Sequence, residues 1–416
     1  MRRLFRCGCF LRCLSLTFSM HIAVDYTTGI YPGAGVARYT RSLVGALARL
    51  DRSNRYSLFY ANKGLPRGTH EEAQARALMK THPNFRGVAV PVSVREMFAV
   101  WQRLRLPLPV DLFTGRCDVL HSPDFVSPPH RTGADVITVH DLSFLVVPEC
   151  AEPKLAGFLS KSVPGAVRRA DRIVAVSEQT KRDLVRLMGV PEEKVTTVYN
   201  GVDERFRVEG RKGKGAEEAE RAALRHKLGL PERFVLHVGT LEPRKNLVRL
   251  IAGYEQAVGG GEDVALVLAG RKGWLYEPIV AAAERVNRGS GATGARVVLV
   301  DYVYDDDLPL LYRMAEVFAY PSLYEGFGLP VAEAMSCGTP VLVSRDGALA
   351  EVVGEAGVVV DALAVESIGE GLARLLSNEE LRARLSKEGA KRAARFTWET
   401  AAEQVLRVYG DVRSNQ

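Results

Sequence analysis

This sequence of 416 residues contains no run of about 18 apolar residues, the length that a membrane-spanning helix needs. Cysteine is scarce and badly placed for cross-linking. Cys7, Cys9 and Cys13 crowd the amino terminus, while Cys117, Cys150 and Cys337 lie far apart in apolar surroundings. That pattern excludes a disulfide framework and a four-ligand zinc site, and it points to a reducing, cytoplasmic compartment. No basic run interleaved with aromatics occurs, so nucleic acid is not an expected partner. Metal-ligand spacing is also lacking. The nearest approach, Asp305-Asp306-Asp307, precedes a helical pattern over residues 308–315 and complements its dipole, so no metal is expected. At the amino terminus an upstream mis-start or a disordered tail is expected rather than a secretory signal, with a short membrane-touching segment as the alternative. Arg2, Arg3, Arg6 and Arg12 leave only a short, broken apolar stretch in residues 1–19. Met20-His-Ile-Ala-Val starts a strand at once, so residues 1–19 are expected to lie outside the core and to be dispensable for folding.

What is present describes a two-domain globular protein. Hydrophobic residues make up 47% and charged residues 25% of the chain, and its length exceeds one typical domain. The net charge of +7 is unevenly spread: residues 1–200 hold 28 Lys/Arg against 17 Asp/Glu, and residues 201–416 hold 28 against 32. The first part is therefore suited to an anionic surface or acceptor. Short apolar strands alternate with helical patterns throughout, the signature of parallel sheets with crossover helices. The first set is expected near Ile22–Asp25, Tyr56–Tyr60, Val88–Val90, Val119–His121, Val136–Val139, Ile173–Val176 and Val195–Val198. The second is expected near residues 234–238, 264–269, 296–300, 317–320, 341–343 and 357–360. These divide the chain into an amino-terminal domain (20–200), a hinge and linker (201–231) and a carboxy-terminal domain (232–396). The linker includes the basic stretch 211–215 and the charged helix Glu217–Leu228, both read as solvated. Residues 95–104 form an amphipathic stretch, read first as a helix packing on the first sheet and otherwise as an interfacial segment.

The most telling segment is Glu325-Gly-Phe-Gly-Leu-Pro-Val-Ala-Glu333. Pro330 suits a first helical position and Gly338 a helix end. Gly326 and Gly328 let backbone N–H groups approach a ligand, and a helix start is an anion site. Glu325 at its mouth and Glu333 one turn inside suit sugar hydroxyls, so the segment is matched to a nucleotide sugar. A second loop, Thr240-Leu-Glu-Pro-Arg244-Lys245-Asn246, follows the strand 234–238. It sets a planar guanidinium and a compact ammonium where phosphate would lie, with Asn246 as an expected N-cap. Gly33-Ala-Gly35-Val-Ala-Arg38 begins like a dinucleotide fingerprint, but Arg38 stands at the third glycine, which argues against a nicotinamide dehydrogenase. His140-Asp141 falls at the end of a strand, where functional side chains of open α/β sheets gather.

In order along the chain, Leu236–Asn246, Leu266–Gly273, Val298–Asp307 and Tyr320–Gly347 resemble the carboxy-terminal domain of retaining glycosyltransferases of family 4. Glu325 and Glu333 resemble that family's paired glutamates. Ile22–Tyr26 with Gly33–Tyr39, Val139–Leu142, Val174–Ser177 and Val198–Asp203 resemble its first strand and glycine loop, histidine motif, late strand and hinge. The resemblance covers roughly residues 20–410. It implies a GT-B fold: two facing Rossmann-like α/β domains with a cleft between them, and a last helix (397–412) that crosses back onto the first domain.

The resemblance implies transfer of a hexose with retention, by front-face attack in which the leaving phosphate helps take the proton. His140, Arg244, Lys245 and Glu325 are the expected catalytic residues. Gly35, Phe327, Gly328, Leu329, Glu333, Tyr302 and Val303 are the expected donor contacts, with no metal and no cofactor. By the same resemblance Glu325 is expected to act on the sugar and Glu333 on the ribose. Similarity of Gly33–Leu43, Val139–Phe144 and Tyr320–Pro340 to mannosyltransferases of polysaccharide assembly puts GDP-mannose first and a UDP-hexose second. The expected acceptor is a glycan or lipid-linked hydroxyl, reached from the cytoplasm and with peripheral contact at the inner face of the membrane. The alternatives are a nucleotide-sugar epimerase on the same scaffold and a non-catalytic sugar-nucleotide-binding partner.

Overall fold

A strand buried on both faces reads as an unbroken apolar run, and such strands assemble into parallel sheets covered by helices. Val-Ile-Thr-Val in the fifth strand and Leu-Val-Leu-Ala in the ninth are runs of this kind, buried at every position. The computed structural model describes residues 19–33, 35–103, 106, 108–207, 214–259 and 263–414. Among them, one set of strands comprises β1 (His21–Asp25), β2 (Arg55–Ala61), β3 (Phe85–Val90), β4 (Val119–Ser122), β5 (Ala134–Val139), β6 (Arg172–Ala175) and β7 (Val195–Thr197). They form a parallel sheet in the order β3-β2-β1-β4-β5-β6-β7. A second set comprises β8 (Phe234–Val238), β9 (Ala265–Ala269), β10 (Val297–Val300), β11 (Val317–Tyr320), β12 (Val341–Ser344) and β13 (Val358–Val360). These form a parallel sheet in the order β10-β9-β8-β11-β12-β13.

Both sheets are doubly wound. The strand order reverses between β1 and β4 in the first and between β8 and β11 in the second. Crevices open at such reversals, beyond the carboxyl ends of the strands. The two strand pairs that position the site are thus β1/β4 and β8/β11.

The last helix, Trp398–Ser414, buries Trp398, Ala401, Ala402, Val405, Val408, Tyr409 and Val412 on one stripe. It packs on the helix Val36–Leu50 of the first sheet's layer. The Tyr409 hydroxyl is hydrogen-bonded to His121 Nδ1 at 2.6 Å, and burial pushes the His121 ring down to about 3, so it is neutral. The hinge is equally tight. Val202 N–H donates to Phe396 at 3.0 Å, and a Cβ on Gly201 would stand 2.2 Å from the Trp398 nitrogen.

Several local expectations are corrected. Asn246 does not cap the helix Leu247–Val258 with its side chain. It adopts a left-handed backbone (φ 59°) and its amide donates to Pro321 and Ala362 carbonyls, tying the loop to its neighbours. Pro330 is the second residue of the helix Leu329–Ser336, and Leu329 the first. The three aspartates do more than face a dipole: Asp305 pairs with Arg38, Asp306 with Arg205 and Asp307 with Lys227. The amphipathic stretch is a short helix, Val94–Phe98, followed by a wider turn over Ala99–Arg103. It buries Met97 and Trp101 and leaves Phe98 exposed. Ser19 is tied in by bonds to Ser53, Asn54 and Arg413. Residues 1–18, the stretch 211–213, Ala34, Leu104 and Arg105 lie outside the described residues.

Candidate active site

The loop after β8 turns sharply through a single helical turn, Pro243–Lys245. This aims Arg244 and Lys245 back across the reversal toward β11. Lys245 Nζ donates to Glu325 Oε1 at 2.6 Å and to the Tyr320 hydroxyl at 2.7 Å. Arg244 lies 2.8 Å from Glu325 Oε2 and donates to Glu242 at 2.8 Å and to the Tyr324 carbonyl at 2.9 Å. Glu325 is only 7% exposed. Burial alone would raise its pKa, but the Arg244 and Lys245 charges outweigh burial and hold it at about 2. Burial and Arg244 together lower the Lys245 pKa, against the pull of Glu325. A buried carboxylate with two cations is a place where a polyanion can share the positive charge.

Glycines let the two domains touch here. A Cβ on Gly326 would lie 1.7 Å from the His140 carbonyl oxygen, so the residue after Glu325 abuts the residue after β5. Gly328 (φ 88°) begins the helix Leu329–Ser336. Leu329 is half-buried and Phe327 is buried against Tyr199 and Phe396 at the hinge. Glu333 is 2% exposed; Tyr312 donates to its Oε2 at 3.0 Å and Arg38 pairs with its Oε1. Burial raises the Glu333 pKa, opposed by Arg38 and Tyr312.

On the facing side, Gly35 (φ 55°) starts the helix Val36–Leu50. His140 Nε2 lies 2.9 Å from the Pro123 carbonyl. A carbonyl only accepts, so Nε2 carries the hydrogen in the neutral ring and Nδ1 is the basic nitrogen. Tyr39 and Phe125 hold the ring edgewise at 4.7 and 5.8 Å. Tyr302 stands 38% exposed just beyond β10 with Arg271 4.2 Å over its ring, while Val303 is buried.

The cleft therefore gathers Gly35, His140, Arg244, Lys245, Glu325, Gly328 and Glu333, while Tyr302 sits at the end of a neighbouring strand and Val303 in the core. Three charged residues were missed as site candidates. Asp25 ends β1 and Asp124 follows β4, on either side of the reversal. Burial lifts Asp25 to about 6, helped by Asp124, and burial raises Asp124 against the pull of His140. An acid closing an apolar strand was the available signal. Arg38 is the third; its role depends on a fold contact that no local pattern displays. Among the described residues, no group of His, Cys, Asp and Glu is arranged to hold a metal ion. A cavity of about 650 Å³ lies away from these residues, beside the hinge around Arg205, Lys227 and Arg313.

Comparison with known proteins bears on the family and the fold. Residues 33–206 match the model of Glycosyltransferase Family 4, and residues 220–392 that of Glycosyl transferases group 1. The chain is 29% identical over 385 residues to O-antigen chain mannosyltransferase B of Escherichia coli, covering 91% of this chain and 96% of that protein. It is 31% identical over 318 residues to D-inositol 3-phosphate glycosyltransferase of Salinispora arenicola, covering 71% and 69%. Its fold is that of the Anabaena protein HepE solved with UDP and glucose, with a TM-score of 0.67, 18% identity and coverage of 94% and 100%. Two doubly wound parallel sheets closing on one charged cleft are the GT-B arrangement, and the chain belongs to glycosyltransferase family 4.

Proposed function

We propose that this glycosyltransferase moves a hexose, mannose in the first instance, from a nucleoside diphosphate sugar to a hydroxyl of a glycan or lipid-linked acceptor, with retention. The observation that carries the reading is the Arg244–Lys245–Glu325 cluster at the β8/β11 reversal, pressed through Gly326 against His140 at the end of β5. Arg244, Lys245 and the helix start at Gly328 take the diphosphate, and Glu325 accepts from sugar hydroxyls. Glu333 accepts from the ribose, and Tyr302 lies beside the base. In the reaction, the anomeric carbon–phosphate oxygen bond breaks as the acceptor oxygen bonds the same face of that carbon. The acceptor proton passes to the departing phosphate. His140 positions the sugar with its Nδ1. Two cations already face the leaving group, so the reaction runs without a metal.

Mannose follows from the similarity to the Escherichia coli mannosyltransferase, whereas the Anabaena structure holds UDP and glucose, which makes a UDP-hexose the competing donor. The basic first domain and its exposed Phe98, Leu112 and Phe113 suit an acceptor at an anionic membrane surface on the cytoplasmic side. No helix among the described residues is long and apolar enough to cross a membrane. The test offers guanosine, uridine, adenosine and thymidine diphosphate hexoses in chelator, with and without acceptor glycan. Acceptor-dependent release of GDP with an axial product linkage from mannose is expected. Preference for a uridine donor removes the mannose assignment; chelator-sensitive turnover restored by magnesium removes the metal-free one.

A further inference from the structure

Arg38 is the third residue of the helix Val36–Leu50, on the first domain. Its guanidinium crosses the cleft and forks onto two acids of the second. Nη1 pairs with Glu333 Oε1, and Nη2 lies 2.8 Å from Asp305 Oδ1. Tyr312 occupies the other oxygen of Glu333, and the carboxylate is nearly sealed from solvent. Both Glu333 oxygens are thus engaged by protein donors. A ribose that is to hydrogen-bond Glu333 must enter space that Arg38 now fills.

We infer that Arg38 is a reversible latch over the ribose subsite: it neutralises Glu333 across the cleft and must be displaced from it before a nucleotide can seat. The inference rests on the assignment of Glu333 to the ribose. The physical logic is that a buried carboxylate charge is strongly disfavoured without a cationic partner; Tyr312 supplies only a neutral donor, and Arg38 supplies the charge. Asp305, a third exposed, can retain the guanidinium after it leaves Glu333. Other contacts between the domains leave Glu333 untouched. Tyr324 donates to Asp183 at 2.7 Å, Trp274 to the Cys150 carbonyl at 2.8 Å, and Glu351 accepts from the Glu178 and Gln179 backbone. Arg38 also stands where a dinucleotide fingerprint requires glycine, so the side chain that excludes that fingerprint is the one that spans the cleft.

The experiment is calorimetry of GDP and UDP binding to the full chain and to Arg38→Ala, Arg38→Lys and Glu333→Gln, with small-angle scattering of each without nucleotide. A ligand's affinity is reduced by the fraction of time its site is blocked. If the latch is shut roughly nine-tenths of the time, Arg38→Ala should bind the accepted nucleotide roughly tenfold more tightly. Arg38→Lys, which keeps one charge but not the fork, should fall between. The empty Arg38→Ala protein should also be more extended. A purely structural contact would instead weaken binding or leave it unchanged when removed, and either result overturns the latch. Glu333→Gln reports separately: weakened nucleotide binding supports the ribose assignment, and unchanged binding removes it whatever Arg38 does.

Discussion

Single residues carry most of the chemistry, and each has a measurable signature. The Glu325 carboxylate is held at about 2, below its ordinary value near 4.5, so it stabilises the fold fully above about 4.5 and progressively less as pH falls toward 2. Glu325→Gln should therefore be less stable than the parent by on the order of 3 kcal/mol near neutral pH. The two should converge in acid, as read by denaturant titrations at several pH values. Lys245→Ala and Arg244→Ala each remove a charge-assisted contact of about 1.5–3 kcal/mol, so kcat/KM should drop roughly ten- to hundredfold. Near-normal turnover in both would contradict the diphosphate role. Gly326→Ala places a methyl inside the His140 carbonyl and should abolish closure: scattering should report a wider particle and activity should vanish while the far-UV spectrum is unchanged. Glu325, Glu333 and the Arg244-Lys245 pair were legible because their spacing is local. Asn246 was misread because its amide serves Pro321 and Ala362, distant in sequence.

Among the elements, the helix Glu178–Met188 is anchored twice at its start. Ser177 accepts from Thr180 N–H, and Glu351 reaches from the other domain to the Glu178 and Gln179 N–H groups at 2.8 and 3.0 Å. A carboxylate facing exposed N–H groups at a helix start is favoured by both hydrogen bonding and the dipole. Glu351→Ala should speed hydrogen exchange at residues 178–179 and loosen the cleft, with little change at residues 185–188. Equal exchange at both ends would sink that role. Most strands were readable to within one or two residues from apolar runs, since a parallel strand buried on both faces leaves no alternation to confuse; β3 begins at Phe85, three residues before the expected Val88, because exposed Arg86 and Gly87 interrupt its apolar run. The short helices were less so: over residues 94–103 a single amphipathic pattern became a helix and a wider turn because Met97 and Trp101 had to reach the same core.

The whole molecule depends on its last helix, which packs on Val36–Leu50 and places Tyr409 on His121. Removing residues 398–414 should strip the apolar cover from the first sheet's layer and yield an aggregating chain, because Val405, Val408 and Val412 have no other burial. Tyr409→Phe is a milder test. It leaves buried His121 Nδ1 without its hydrogen-bond partner and should lower stability by about 1–3 kcal/mol in urea titration. A soluble, cooperative truncation would show that the domain closes without the helix.

Strand periodicity, the glycine and proline positions, and the spacing of Glu325 from Glu333 are properties of neighbouring residues. The sequence alone therefore determined the two-domain α/β class, the alternation of elements and the local placement of Arg244, Lys245, Glu325 and Glu333 on their loops and helix. Contacts between residues hundreds of positions apart have no local pattern, and only the tertiary structure decided them. Arg38 meets Glu333 and Asp305 because two helices from separate domains face each other across a closed cleft. Asp25 and Asp124 come together because β1 and β4 are neighbours in the sheet though far apart in the chain. Those charges set which groups are ionised and what a ligand must displace, and that is a property of burial and proximity, which the folded chain alone supplies.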